Sequence, residues 1–153
     1  MQTMLTVIVT WLSINFGLPA TYDHPRVETV PHATLVALRY GQSSSDPASK
    51  SAVAASGAIP NAQDLVAVYD NQRRTIYLAE GWSGKTPAEV SVLVHEMVHH
   101  LQNLSGSKYE CMQEREALAY KAQDMWLRLF GEDLEKTFEI NPMALLVRTR
   151  CFY

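Results

Sequence analysis

The length, composition and charge of the chain exclude several classes of protein. Its 153 residues suffice for one domain, and 47% hydrophobic with 19% charged residues is the balance of a globular protein rather than a disordered or fibrous one. The formal net charge is -3, with acidic and basic side chains mixed along the chain, which excludes the basic surface that nucleic acid or anionic lipid requires. We therefore expect a single domain over residues 1–153.

The first twenty residues support two interpretations. Residues 4–20 are apolar enough for a secretory signal, but no Lys or Arg precedes Arg26. The alternative is a helix that packs one face on the core, because apolar side chains recur at spacings of three and four, namely Leu5, Ile8, Leu12 and Phe16, with Val9 beside them. The segment is too short and polar to span a bilayer, and the sequence leaves a cytoplasmic or an exported location open.

Several elements are predicted in the middle of the chain. Residues 26–30 form a possible short strand, and residues 31–41 read as a helix opened by proline and ended by glycine. Residues 42–61 are rich in Ser and Ala without periodicity, which predicts a surface loop. Two β-rich runs, residues 65–69 and 75–79, are separated by five polar residues and predict a hairpin.

The second half of the chain is predicted to be helical. A capping box at residues 86–89, with proline at the first helical position, begins a helix that extends to about Asn103. Residues 107–110 repeat the capping box for a helix that Gly131 ends, and two shorter helices follow, around residues 132–138 and from Asn141. We expect an α+β fold, mainly helical, with a small antiparallel hairpin or sheet packed on the first of these helices.

A metal-binding motif lies within that helix. The run His95-Glu96-Met97-Val98-His99 has the form HExxH, and a spacing of four places both imidazoles on the same helix face, where they can bind one ion. Imidazole suits zinc better than magnesium or calcium, which prefer oxygen ligands. Glu96 leans to the flank of the pair, where it can reach a water on the metal without being a ligand.

The apolar surface of the same helix strengthens this interpretation. It predicts a largely buried helix and comprises Val90, Leu93, Val94, Met97, Val98, Leu101 and Leu104. Burying two histidines and a glutamate there is costly unless their polar groups are satisfied, and a metal ion would satisfy them. The structural alternative is two core histidines bonded to carbonyls, beside a surface glutamate.

The next helix offers the third protein ligand that a catalytic zinc ion needs. Glu116 is the acidic member of a row with alternating spacings of four and three, formed by Met112, Glu116, Ala119, Gln123, Trp126 and Phe130. Glu114 lies near the neighbouring apolar row and is the second choice. Glu110 is expected in the first turn, where capping and the helix dipole account for it. We predict His95, His99 and Glu116 as the ligands.

This combination of motifs resembles a known group of enzymes. HExxH on one helix and Glu116-Ala117-Leu118-Ala119 on the next are similar to the gluzincin metallopeptidases, although membrane-linked members continue with Asp where this chain has Tyr120. The pattern E-x-x-A-Y-x-x-Q-x-x-W from Glu116 to Trp126 is similar to small uncharacterised bacterial proteins classed only as a domain of unknown function. The resemblance covers roughly residues 65–130 and implies a minimal zincin core.

The resemblance implies a zinc-dependent peptidase acting on a peptide or protein substrate. Zinc would lower the pKa of its bound water to about 7 and polarise the scissile carbonyl, with Glu96 as the general base. The strand at residues 75–79, as an edge beside the site, could align the peptide, or could be plain sheet structure. An oxyanion could be steadied by a tyrosine, and the candidates are Tyr77, Tyr109, Tyr120 and Tyr153.

Two other functions fit the same motif. One is a zinc-binding interaction domain with weak or no turnover, against which Glu96 argues because a purely structural zinc needs no base. The other is a zinc hydrolase of a different amide or ester bond. The specific substrate and the oligomeric state are not readable from the sequence.

The sequence predicts the roles of the remaining histidines and of the cysteines less specifically. His100 points about 100° away from His99 on a helix, so a surface or supporting role is expected. His24 and His32 are expected to be structural or surface residues. Cys111 and Cys151 either form one bridge that ties the C-terminus to a helix start or remain two thiols.

Overall fold

The computed structural model describes residues 1–41 and 66–152, with the side chains of residues 40 and 41 excepted. The predicted loop at residues 42–61, Leu65 and Tyr153 lie outside this part. The described residues form an α+β fold, as predicted. Its helices are α1 (Gln2–Phe16), α2 (His32–Gly41), α3 (Pro87–Ser105), α4 (Met112–Arg128), α5 (Leu134–Thr137) and α6 (Pro142–Thr149), and its strands are β1 (Arg26–Val30), β2 (Ala67–Asp70) and β3 (Thr75–Ala79).

The chain divides into two compact units, and the unit formed by Arg26–Trp82 contains the sheet and α2. β2 and β3 form the predicted antiparallel hairpin, with Tyr69 opposite Ile76. β1 pairs in parallel with the other side of β3, so that Val27 also lies opposite Ile76 and the strand order is β1-β3-β2. The prediction that β3 is an edge strand is therefore wrong. Its main chain is paired on both sides and cannot also pair with a peptide.

The other unit, Met1–Pro25 with Ser83–Tyr153, is helical among its described residues. α3 packs against α1 and α4, and α4 also contacts α5 and α6. The apolar face predicted for α1 is confirmed, since Leu5, Ile8, Val9 and Leu12 are buried. Each fully buried Leu or Ile contributes on the order of 1.5–3 kcal/mol through the hydrophobic effect. Within residues 1–41 and 66–152, no helix combines the length and apolar character needed to cross a membrane.

The start of α3 is set by the predicted capping box. The Thr86 hydroxyl accepts a hydrogen bond from the Glu89 N–H at 3.2 Å, and the Glu89 carboxylate accepts from the Thr86 N–H at 3.2 Å. The same carboxylate accepts from the Ser83 N–H and hydroxyl, at 2.9 and 2.8 Å, and from the Lys85 N–H at 3.1 Å. These hydrogen bonds, led by those from Ser83, lower the pKa of Glu89 to about 2.

The capping box predicted for α4 is wrong. α4 begins at Met112 with Cys111 as its N-cap residue, so Glu110 lies outside the helix. The Ser107 hydroxyl bonds the Ser105 hydroxyl at 2.7 Å and lies well before the first turn of α4. The Glu110 N–H instead donates to the Glu114 carboxylate at 2.6 Å. The two shorter helices are confirmed, and Asn141 is the N-cap residue of α6.

Replacing Glu89 with glutamine is expected to destabilise the protein at neutral pH and to have little effect in strong acid. Because folding lowers the pKa of Glu89 from 4.5 to about 2, its ionised form stabilises the fold above pH 4.5. That contribution is lost as the pH falls through about 2. Thermal unfolding of wild type and Glu89→Gln across this range should give Tm curves that converge in acid. A Tm difference independent of pH would contradict the assignment.

Cys111 and Cys151 form a disulfide across a sequence separation of 40 residues. In the chain-entropy model a cross-link of this span stabilises the folded state by about 4 kcal/mol. Denaturant unfolding with and without a thiol reductant should therefore show a large fall in the midpoint. The double variant Cys111→Ser/Cys151→Ser should match the reduced wild type and be insensitive to reductant. An unchanged wild-type midpoint in reductant would argue against the bond.

Candidate metal centre

His95, His99 and Glu116 form a group that could bind a metal ion. Their candidate ligand atoms all lie within 4.8 Å of one another. His95 Nε2 is 3.0 Å from Glu116 Oε2, His99 Nε2 is 3.1 Å from Glu116 Oε1, and the two Nε2 atoms are 3.2 Å apart. Both histidines are buried and Glu116 is half-buried. The packing of α3 on α4 thus brings all three side chains to one point.

The spacing of these atoms suits a small tetrahedral cation. Bonds of about 2.0–2.1 Å in a tetrahedron separate neighbouring ligand atoms by about 3.3 Å. The nearest imidazole and carboxylate atoms here are 3.0, 3.1 and 3.2 Å apart. Three protein ligands in such a geometry leave a fourth position for water or substrate, which is typical of catalytic rather than structural zinc sites.

The outer nitrogen of each imidazole, Nδ1, is hydrogen-bonded to a glutamine amide. His95 Nδ1 lies 3.0 Å from Gln123 Oε1, and His99 Nδ1 lies 3.0 Å from Gln102 Oε1. An amide oxygen only accepts hydrogen bonds, so each Nδ1 carries the hydrogen and each Nε2 of the neutral ring presents a lone pair. Two lone pairs and the Glu116 carboxylate then face one another. Such a set of acceptors is satisfied by a cation or by protons, and its chemistry fits a metal site.

The charges of the group are strongly coupled. Burial alone would lower the pKa of His95, but the hydrogen bond and charge of Glu116, together with the charge of Glu96, raise this pKa overall. Burial would raise the pKa of Glu116, but the charge of His99 and the hydrogen bonds from both histidines hold it well below its usual range. Protons and a metal ion therefore compete for the same atoms, and metal binding is expected to weaken as the pH falls.

Glu96 is the acidic residue of α3 beside this group. Its side chain belongs to a residue that is only 8% exposed, and its charge acts on His95. Among residues 1–41 and 66–152, no side chain or main-chain group forms a hydrogen bond with its carboxylate. Successive residues on a helix are about 100° apart, so Glu96 points to the flank of the histidine pair. Its carboxylate is therefore not engaged by a partner within the described residues.

Tyr120 is a predicted tyrosine that packs against a candidate ligand. Its ring packs edge-on against His95, with centroids 4.6 Å apart and planes at 74°. Tyr109 lies in the connection before α4, Tyr77 lies on β3, and Tyr153 is outside the described residues. Tyr120 follows Glu116 by four residues on α4, which places both side chains on the same face.

Glu114 does not join the group. Its carboxylate is exposed and accepts the Glu110 N–H. His100 is 1% exposed, and its Nε2–H donates to the main-chain oxygen of Asp23 at 3.0 Å, so it is a structural core residue rather than a surface residue. His24 Nε2 bonds the Thr6 hydroxyl at 2.9 Å, which agrees with a structural role.

Both supporting glutamines were missed from the sequence as supporting residues, although a signal was present. Gln102 follows His95 by seven residues, and Gln123 follows Glu116 by seven. A spacing of seven returns to the same helix face after two turns. Each glutamine thus shares a face with a candidate ligand of its own helix. The partner of Gln102 is His99 on the same helix, whereas the partner of Gln123 is His95, which the packing of α3 on α4 brings to it.

Comparison with known proteins identifies the family but no characterised relative. A family model described as Domain of unknown function (DUF6647) matches residues 1–153, so the chain belongs to this family. No curated protein and no solved structure matches the chain. The functional argument therefore depends on the residues of the site.

Glu116→Gln and Glu114→Gln form a matched pair on one helix. Loss of a ligand carboxylate should weaken zinc binding by more than the roughly 10–100-fold that is typical when a residue hydrogen-bonded to a ligand is lost. Glu114→Gln should leave the zinc affinity unchanged. Competition with a chromophoric chelator measures both affinities, and His95→Ala and His99→Ala should also lose the metal. A greater loss in Glu114→Gln than in Glu116→Gln would overturn the ligand set.

Proposed function

We propose that this member of the DUF6647 family is a zinc-dependent metallopeptidase of the gluzincin type. The observation that carries the proposal is the position of Glu96, whose carboxylate has no hydrogen-bond partner among the described residues, next to the group of His95, His99 and Glu116. A site that only ligates a metal does not require such a group. A base next to an open metal position is what metal-assisted hydrolysis requires.

The ligand chemistry favours zinc. Two imidazole nitrogens with one carboxylate oxygen are a known catalytic zinc set, whereas magnesium and calcium prefer oxygen ligands throughout. A zinc ion held there would lower the pKa of a bound water to about 7 and polarise a carbonyl oxygen. The carboxylates of Glu116 and Glu96 supply two negative charges, which balance the charge of a divalent cation.

The side chains of the chain have distinct roles in this proposal. His95 and His99 bind the ion through Nε2, and Glu116 binds it through a carboxylate oxygen. Glu96 accepts the proton of the attacking water and returns it to the leaving amine. Tyr120, which packs on His95, is the candidate to donate a hydrogen bond to the substrate carbonyl oxygen as negative charge develops there. Alignment of a peptide along β3 is not part of the proposal, because β3 is paired on both sides.

Two alternatives remain distinct from peptide hydrolysis. A hydrolase of another amide or ester bond would use the same ligands and the same base, so only the substrate differs. A zinc-binding interaction domain without turnover is disfavoured by Glu96, because ligation alone does not require a carboxylate beside the ligands that makes no hydrogen bond with the described residues.

Glu96→Gln is expected to keep zinc and to lose hydrolysis. Glutamine preserves the shape of the side chain but cannot accept the proton, and loss of a general base lowers the rate by about 10²–10⁴-fold. Zinc-loaded wild type and variant should be compared on a peptide library by mass spectrometry, with Glu114→Gln as a control that retains activity. Equal cleavage by wild type and Glu96→Gln would assign the activity elsewhere. If zinc-loaded wild type cleaves no peptide, amide or ester, the interaction-domain alternative gains support.

A further inference from the structure

Gln102 and Gln123 each contact the outer nitrogen of one candidate ligand. Which nitrogen of a histidine binds a metal is decided by the hydrogen bond that the other nitrogen makes. An amide can present either its oxygen or its NH₂ group, and the two ends select opposite tautomers of the imidazole. The orientation of both amides therefore decides whether Nε2 is available at this centre.

The orientation of Gln123 is determined by Ser91. The Ser91 hydroxyl donates its one hydrogen to the main-chain oxygen of Ala88 at 2.7 Å, so towards Gln123 it can only accept. Gln123 Nε2 lies 3.3 Å from this hydroxyl oxygen and donates to it. The amide oxygen is thereby directed to His95 Nδ1. Hydrogen bonds run from His95 through Gln123 and Ser91 to Ala88, and the donor and the acceptor of each bond are fixed.

Arg115 determines the orientation of Gln102 in the same way. Arg115 Nε can only donate, and it lies 3.3 Å from Gln102 Oε1. The main-chain oxygen of Arg115 can only accept, and Gln102 Nε2 donates to it at 3.1 Å. The guanidinium also donates to the main-chain oxygen of His99 at 3.1 Å. Arg115 directly precedes Glu116 on α4. Its bond to the main-chain oxygen of His99 therefore connects the segment that carries Glu116 to the backbone of His99.

The amides also set the charge of the centre. Histidine ligands are often held by carboxylates, which make the imidazole more basic. A carboxylate at position 102 or 123 would add a third negative charge to a site that already contains Glu96 and Glu116. An amide accepts the same hydrogen bond without adding charge, and it does not titrate, so it holds the Nδ1 hydrogen wherever the protein is folded.

We propose that Gln102 and Gln123 are positioning residues that hold both imidazoles with Nδ1 protonated and Nε2 directed at a divalent metal ion, while adding no charge to the centre. Ser91 and Arg115 orient the two amides. This inference rests on the metal-binding part of the proposed function and does not require hydrolysis.

Three substitutions test the role of Gln123. Gln123→Met removes the acceptor at similar volume, Gln123→Glu keeps an acceptor but adds charge, and Gln113→Met is a control on the same helix. Chelator competition should show zinc affinity about 10–100-fold weaker for Gln123→Met. Affinity should be at least equal to wild type for Gln123→Glu and unchanged for Gln113→Met. The visible absorption of the Co²⁺-substituted protein should change in both Gln123 variants and not in the control.

A milder variant covers the case in which Gln123→Met does not fold. Ser91→Ala leaves Gln123 in place but removes the acceptor that orients it, so zinc affinity should fall by less than in Gln123→Met. ¹⁵N NMR of histidine-labelled, zinc-loaded wild type should show protonated Nδ1 and metal-bound Nε2 on both ligands. In Ser91→Ala, the Nδ1 signal of His95 should change, whereas that of His99 should not.

The outcomes separate this inference from the proposed function. Zinc binding by wild type, with equal affinity and an unchanged Co²⁺ spectrum in Gln123→Met, would overturn the positioning role alone. Coordination through Nδ1 would overturn it as well. No zinc binding by wild type would refute the metal site and this inference together. Loss of the hydrolytic proposal in the Glu96→Gln experiment would leave the positioning role intact.

Discussion

The packing of α3 on α4 is the constraint on which the site depends. Residues 91–102 of α3 are all buried. Five of them carry a titratable side chain or a side-chain amide, namely His95, Glu96, His99, His100 and Gln102. Burying such groups costs free energy unless they are satisfied. α4 supplies most of the partners, namely Glu116, Gln123 and Arg115. The helix that carries the motif and the helix that completes it are therefore parts of one polar interior.

Glu96 is the exception within this interior. The imidazoles, the two amides and the guanidinium all have partners, and a network whose members are satisfied holds its side chains rigidly. Glu96 has a similarly small exposed fraction, but its carboxylate has no hydrogen-bond partner among the described residues, and its oxygens reach solvent. A carboxylate left without a partner beside such a network is expected where a protein acts rather than where it is only stable. This contrast gives Glu96 its weight in the functional proposal.

The parts predictable from the sequence are those with local causes. The start of α3 follows from Thr86 and Glu89, which lie within one turn of each other. The start of α4 could not be predicted, because Ser107 bonds Ser105 and the N-cap residue Cys111 is bonded to Cys151 forty residues away. The central position of β3 was missed for a similar reason. It depends on pairing with a strand far earlier in the chain, and no local pattern specifies that register.

The pattern from Glu116 to Trp126 acquires a physical meaning from the structure. Three of its members act on one imidazole: Glu116 and Gln123 bond the two nitrogens of His95, and Tyr120 packs on the ring. Trp126 packs edge-on against Trp11 of α1, with ring centroids 5.2 Å apart. The spacings of four, three and three therefore describe one face of α4, which surrounds His95 and then anchors the helix to α1. The pattern that carries the family resemblance is thus an environment built around a single candidate ligand.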